Sequence, residues 1–264
     1  FQQAALDHLG IDARFEARPV PPEDFAAAVE ALRADDELGG CVTLPHKHAA
    51  LELMDDVDET AAAIGAVNTI VNADGRLKGY NTDAPGFLRA LRERAGFDPA
   101  GSSAVVFGAG GAARAVVYAL RVAGVARLAI ANRTVPRAES LAADMTDGGF
   151  RPTALGLQRD ELADVAPFAD LLVNATSMGM AGGEAASASP VPAELISGDA
   201  LCYDAVYAPP MTPFLLAAED AGARPEGGLS MLIYQGAEGF QLWTGEPAPV
   251  EVMFEAAEAA LRAR

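Results

Sequence analysis

The sequence predicts an α/β protein of two domains, one of them built on a doubly wound parallel sheet, and three observations carry that expectation. The run from Val105 to Arg137 reads as a buried strand (Ala104 to Phe107), a glycine turn (Gly108, Ala109, Gly110, Gly111), a helix from about Ala112 to Val122 and a second strand (Leu128 to Ala131). That order is a βαβ unit. Strand and helix patterns keep alternating after it, with a helix around Arg137 to Met145 and strands at Leu171 to Val173 and Leu201 to Val206, as a parallel sheet requires. Before residue 84 the elements are shorter and broken by Pro and Gly, so a separate domain is expected there.

A strand that turns straight into a helix leaves the helix's first amide hydrogens unpaired and aimed at one spot, where the peptide dipoles also favour negative charge. The spacing Gly108-x-Gly110-x-x-Ala113 puts small residues where a pyrophosphate site needs them. The first makes the turn, the second lets the backbone approach phosphate, and the third lets helix pack on strand. A dinucleotide is therefore expected on Gly108 to Ala112, in a Rossmann domain. At the end of the second strand an NAD site wants Asp or Glu to accept from the ribose 2′-hydroxyl. This chain has Asn132, Arg133 and Thr134 there, with Arg137 one helical turn on. Guanidinium groups match phosphate oxygens in charge and fork geometry, and cations near a helix start oppose its dipole unless an anion offsets them. The expected cofactor is NADP(H).

At 264 residues and 51% hydrophobic, the chain can bury a sizeable core. No apolar run reaches the roughly 18 residues of a membrane span, and no segment resembles a secretory signal. Cys41 and Cys202 sit in strand-like apolar settings without metal-ligand spacing, so a reducing cytoplasm and no disulfide are expected. The formal charge of −18 argues against nucleic acid or an anionic membrane as partner. The acidic, lysine-poor composition fits a salt-rich cytoplasm or a GC-rich genome. Lys47 and Lys78 are the only lysines, which makes each a candidate for a role that arginine cannot fill.

In order, the chain reads as a helix from Phe1 to a C-cap at Gly10, a strand Ala13 to Ala17, a helix Glu23 to Arg33 and a strand Cys41 to Leu44 stopped by Pro45. His46-Lys47-His48 opens a helix to Met54, and a second helix runs from Asp58 to Ile64. A hairpin follows, Val67 to Asn72 with Leu77 to Tyr80, around Ala73-Asp74-Gly75. Asn81-Thr82-Asp83 closes this region, and Pro85-Gly86 begins the helix that leads into the dinucleotide unit. Ala181 to Ser189, rich in Gly, Ala and Ser, is expected to be a mobile loop. Thr212-Pro213 caps a helix Phe214 to Ala221, and Gly227-Gly228 precedes long apolar helices Met231 to Trp243 and Val250 to Ala260. Helices of this kind often pack back on the first domain, so residues 1–83 with 229–264 are expected as one domain and 84–228 as the other.

Lys47, at a strand tip and helix start, reads either as an exposed mobile charge or as an acid/base group. Asp83 reads as turn chemistry or as a carboxylate in an interdomain cleft. His46 and His48 have no third ligand at metal spacing, so no metal is expected. Asn174-Ala175-Thr176-Ser177 lies at the carboxyl end of a strand, as a capped turn or as a ligand-facing loop.

Seven stretches in order resemble the shikimate dehydrogenase family: Gly-Cys-Val-Thr-Leu-Pro-His-Lys (40–47), Gly-Ala-Val-Asn-Thr (65–69), Asn-Thr-Asp (81–83), Gly-Ala-Gly-Gly-Ala-Ala-Arg (108–114), Asn-Arg-Thr (132–134), Asn-Ala-Thr-Ser-Met-Gly (174–179) and Met-Leu-Ile-Tyr-Gln (231–235). The resemblance implies reversible reduction of 3-dehydroshikimate to shikimate with NADPH, a step of chorismate and aromatic amino acid biosynthesis. It places the active site in a cleft between a discontinuous substrate-binding domain and the Rossmann domain of a monomer or homodimer. Lys47 and Asp83 match its catalytic pair, and Thr43, Asn68, Tyr207 and Gln235 match substrate-holding positions. Gly108, Ala109, Gly110, Gly111, Ala112, Asn132, Arg133, Thr134, Arg137, Thr176, Ala205 and Gly228 match cofactor positions, and Glu59 an acidic position credited with cofactor contact. Two departures stand out. The family has Asn where Cys41 stands, and it opens with a strand and a Ser-x-Ser-Pro whose serines hold the substrate carboxylate. Residues carrying that segment are expected before Phe1, since a sheet edge would otherwise stay unpaired. A quinate/shikimate dehydrogenase and a non-catalytic NADP-binding sensor are the alternatives.

Overall fold

The computed structural model describes residues 1–263, and the chain divides into two compact units, Phe1–Gly86 with Ile233–Arg264 and Phe87–Leu232. Each division falls inside a helix, Asp83–Arg89 and Leu229–Thr244.

In the first unit four strands, β1 (Gly39–Cys41), β2 (Asp56–Val57), β3 (Thr69–Ala73) and β4 (Arg76–Tyr80), form a sheet in the order β1-β3-β4-β2. Neighbours are antiparallel except β2 and β4. The β3–β4 hairpin turns through Asp74 and Gly75 with φ of 52° and 81°, the positive values that let a two-residue turn follow strand twist. Phe25, Val29, Val42, Ala50, Ala61, Val67, Ile70 and Leu77 form the core against this sheet. Helix Gln2–Leu9 ends at Gly10 in the left-handed region and packs on helix Val250–Arg262. Gly39 has φ of 142°, and a Cβ there would stand 2.0 Å from the Ile70 carbonyl oxygen. That oxygen also accepts from Trp243 Nε1 at 2.8 Å.

Two expected strands are corrected here. Residues 13–17 join no ladder among the described residues, and they are tied to the first helix by a side chain: Phe15 N donates to Gln3 Oε1 (2.9 Å) and Gln3 Nε2 donates to Ala13 O (3.3 Å). In the run Cys41 to Leu44 only Cys41 belongs to a strand. Val42 N still donates to Asn68 O, but Thr43 O accepts from His46 N, so the chain turns there.

The second unit holds β5 (Ser103–Phe107), β6 (Arg127–Ala131), β7 (Thr153–Leu155), β8 (Leu171–Asn174), β9 (Leu201–Asp204) and β10 (Arg224–Glu226), in the order β10-β9-β8-β5-β6-β7. All pairs are parallel. The chain builds outward from β5 in both directions, so the strand order reverses between β5 and β8, where doubly wound folds bind dinucleotides. β5 and β8 are buried along their whole length, which is why they read as unbroken apolar runs. The strand expected through Val206 stops at Asp204, because Val206 N turns back to Asp204 Oδ1 at 2.9 Å. Helix Pro213–Asp220 is capped as expected, Thr212 Oγ1 accepting from Leu215 N. Residues 181–189 form successive hydrogen-bonded turns.

Ser103 donates its amide (2.8 Å) and hydroxyl (2.7 Å) to Asp170, and these bonds, the backbone one first, hold the Asp170 carboxyl below its usual range. A depressed folded value means stability that is present above about pH 4 and lost as pH falls through the lower value. Asp170→Asn should therefore lower Tm at neutral pH, and the gap should close toward about pH 3. A gap of constant size across that range would contradict the assignment.

Candidate active site

Lys47 opens helix Lys47–Glu52, directly after the turn at Thr43. Its backbone is pinned to the sheet entry, Val67 N donating to Lys47 O at 2.9 Å. Its Nζ donates to Asp83 Oδ2 at 2.6 Å, and the two side chains are only 15% and 8% exposed. The exposed, mobile reading of Lys47 therefore fails.

Asp83 is held from several sides. Its Oδ1 accepts from Asn68 Nδ2 (2.9 Å), and its amide donates to Asn81 Oδ1 (3.1 Å). Asn81 Nδ2 donates in turn to Ala66 O at 3.0 Å. Asn68 Oδ1 accepts from Thr82 N (2.8 Å) and Thr69 Oγ1 (3.0 Å). Gln235 joins through Oε1, 3.4 Å from Asn68 Nδ2 and 3.5 Å from Thr82 Oγ1. Gly86 makes this approach possible, since a Cβ there would lie 2.5 Å from Gln235 N. An ammonium has three donors and Asp83 takes one, so Lys47 keeps protons to offer an oxygen placed beside it. Thr43 is exposed on the preceding turn, and Tyr207, in the other unit, is exposed just beyond β9.

In the second unit Gly108 has φ of 115°, and a Cβ on it would come within 2.9 Å of Ala175 O. Gly110 caps helix Gly111–Val122, and a Cβ on it would meet nothing within 4 Å, whereas Ala113 is wholly buried. Turn, open floor and close packing thus fall where the spacing put them, and Ala109 and Ala112 flank the open floor. Asn132 N donates to Leu155 O and its Nδ2 to Thr134 O (2.9 Å), fixing the loop after β6. Arg133 and Arg137 are exposed and pair with no carboxylate among the described residues. Thr176 Oγ1 donates to Asn174 Oδ1 (2.7 Å) and accepts from Met178 N (3.0 Å), so residues 174–178 do form a capped turn. A Cβ on Gly228 would stand 2.3 Å from Ala205 O, so only glycine lets these two backbones touch.

Glu59 is exposed in the first turn of helix Glu59–Ile64, where a negative charge suits the dipole. The His46 ring stacks on Phe25 (centroids 4.3 Å apart) with Nε2 2.8 Å from Val20 O. No His, Cys, Asp and Glu cluster among the described residues could hold a metal. Lys78 Nζ lies 5.2 Å from the Tyr80 ring.

Residues 1–70 match the shikimate dehydrogenase substrate binding domain, 91–181 the shikimate / quinate 5-dehydrogenase family and 228–258 the shikimate 5′-dehydrogenase C-terminal domain. A shikimate dehydrogenase (NADP(+)) of Methanopyrus kandleri is 48% identical over 96% of this chain and 87% of its own. The chain belongs to the shikimate dehydrogenase family. Its fold is likewise similar to that of the Thermus thermophilus shikimate 5-dehydrogenase solved with NADP(H) and shikimate, at a TM-score of 0.87 and 43% identity over 98% and 92% of the two chains. A Corynebacterium glutamicum quinate dehydrogenase solved with NAD is similar at 0.82 and 32%, over 98% and 92%.

The family motifs carried Lys47, Asn68, Asp83 and Gln235, and they contained Thr69, Asn81 and Thr82 without giving these a role. Gly86 was legible only as part of a helix start, and Asp204, a buried carboxylate at the end of β9, was hidden in an apolar run. Polar side chains inside otherwise apolar strands were the available signal.

Proposed function

We propose that the protein is an NADP-dependent shikimate dehydrogenase that reversibly reduces 3-dehydroshikimate to shikimate in the cytoplasm, as a monomer or homodimer. The observation that carries this reading is the shielded Lys47–Asp83 pair, 2.6 Å apart, set in a network that presents Asn68 and Gln235. Oxidising an alcohol needs a base for the hydroxyl proton, and the reverse needs the same group as acid. NADP, when bound, supplies the hydride acceptor or donor. Lys47 takes or gives the proton at the reacting oxygen, and Asp83 holds the amine in place. Thr43, Asn68, Tyr207 and Gln235 bind the remaining substrate hydroxyls and carboxylate. Residues 1–83 and 229–264 form the substrate-binding domain, and 84–228 the NADP-binding domain. There Gly108 to Ala112 cradle the pyrophosphate, Asn132 to Thr134 and Arg137 take the 2′-phosphate end, and Thr176, Ala205 and Gly228 take the nicotinamide end. Glu59 is the outlying member of the cofactor set.

Similarity to a quinate dehydrogenase keeps that substrate as the second reading. Absorbance at the NADPH band, first with shikimate and then with quinate, separates the two. Turnover of shikimate with little on quinate is expected. Calorimetry showing tight NADP binding with turnover of neither acid would decide for a non-catalytic sensor.

A further inference from the structure

Asp204 ends β9, and its side chain is completely buried. Three donors from three separate segments converge on it. Oδ1 accepts from Asn174 Nδ2 at the end of β8 and from Val206 N, both at 2.9 Å, and Oδ2 accepts from Thr212 Oγ1 at 2.6 Å. No Lys or Arg pairs with it among the described residues, and burial pushes its carboxyl above the usual carboxylate range. A buried charge without a counter-charge is a costly way to tie loops together, and it persists only where all its hydrogen bonds are made.

What those bonds hold is specific. Asn174, fixed by Asp204, accepts through Oδ1 from Thr176 N (3.1 Å) and Thr176 Oγ1 (2.7 Å). Ala175 in the same turn is the contact of Gly108, and Ala205, next to Asp204, is the contact of Gly228. A doubly wound sheet takes one mononucleotide on each side of its switch point. The β5–β6 side carries the glycine turn, Arg133 and Arg137, and so takes the 2′-phosphoadenosine half. The carboxyl ends of β8 and β9 are left for the nicotinamide half.

We propose that Asp204 is a positioning residue for the nicotinamide half of the cofactor, clamping residues 174–178 and 204–206 in the shape that receives it. The inference rests on the NADP reading above. Its test compares the Kd of NADP(H) with that of 2′,5′-ADP, which carries only the adenosine half. Asp204→Ala should weaken NADP(H) about tenfold or more and change 2′,5′-ADP less than about twofold, since bonds to a charged group are lost on one side only. Asp204→Asn keeps the shape, can donate to Thr212 Oγ1, and should return NADP(H) affinity to within about threefold of the unmodified protein. Thr212→Val removes one of the three bonds to Asp204, together with the weaker cap bond from Leu215 N, and should show the same selective loss at smaller size, which serves if Asp204→Ala does not fold. Unchanged NADP(H) affinity in the Ala and Val variants, or equal loss of both ligands, would overturn the proposal. Failure of the unmodified protein to bind either ligand would instead overturn the NADP reading.

Discussion

Lys47→Ala is expected to lower kcat by about two to four orders of magnitude while shifting the NADP(H) Kd by less than about threefold, as removal of a general acid/base does. Lys47 and Asp83 are both in the first unit, whereas the glycine turn and the two arginines belong to the second. The substitution also leaves the Asp83 carboxylate buried without its cation, so a second variant is informative. Lys47→Arg keeps a positive charge beside Asp83, yet a guanidinium does not give up its proton. It should therefore fold well and still lose most of its turnover. The two side chains are bonded directly, so a Lys47→Ala/Asp83→Asn double variant should fall little further than Lys47→Ala alone. Near-normal kcat in Lys47→Ala would sink the assignment.

The second large effect concerns cofactor choice. Replacing Arg133 and Arg137 together with neutral residues should weaken NADP(H) by about 2–5 kcal/mol, as charge-assisted bonds to the 2′-phosphate are lost, and should barely affect NAD(H). Both side chains are exposed, so salt screens them and the difference is largest at low ionic strength. Equal kcat/KM for NADP and NAD in the unmodified protein would contradict the clamp.

How much of this was legible in the sequence depended on how local the cause was. β5, its glycine turn and the following helix were readable because a strand buried on both faces is a continuous apolar run and because the turn fixes glycine spacing. The three-residue edge strands β7 and β10 were not, since their pairing comes from neighbours and β10 even contains Pro225, which only an edge tolerates. The strand expected at residues 13–17 has no partner strand among the described residues, and extended sequence becomes a strand only with one; its hydrogen bonds go to Gln3. Lys47 and Asp83 were readable singly, yet each left a bland alternative open until the fold put them 2.6 Å apart. Asn68 and Gln235 meet across 167 residues of sequence, a distance over which no spacing rule acts. Asp204 was missed because the run Leu201 to Val206 looked like uniform core, and only the three converging donors show why a carboxylate stands there.

The most direct measurement follows the hydride itself. Shikimate deuterated at the carbon that becomes the ketone of 3-dehydroshikimate should, on incubation with the protein and NADP, yield 3-dehydroshikimate together with NADPH carrying one deuterium, resolved by mass spectrometry. Formation of no ketone, or of ketone with no deuterium in the NADPH, would contradict the account.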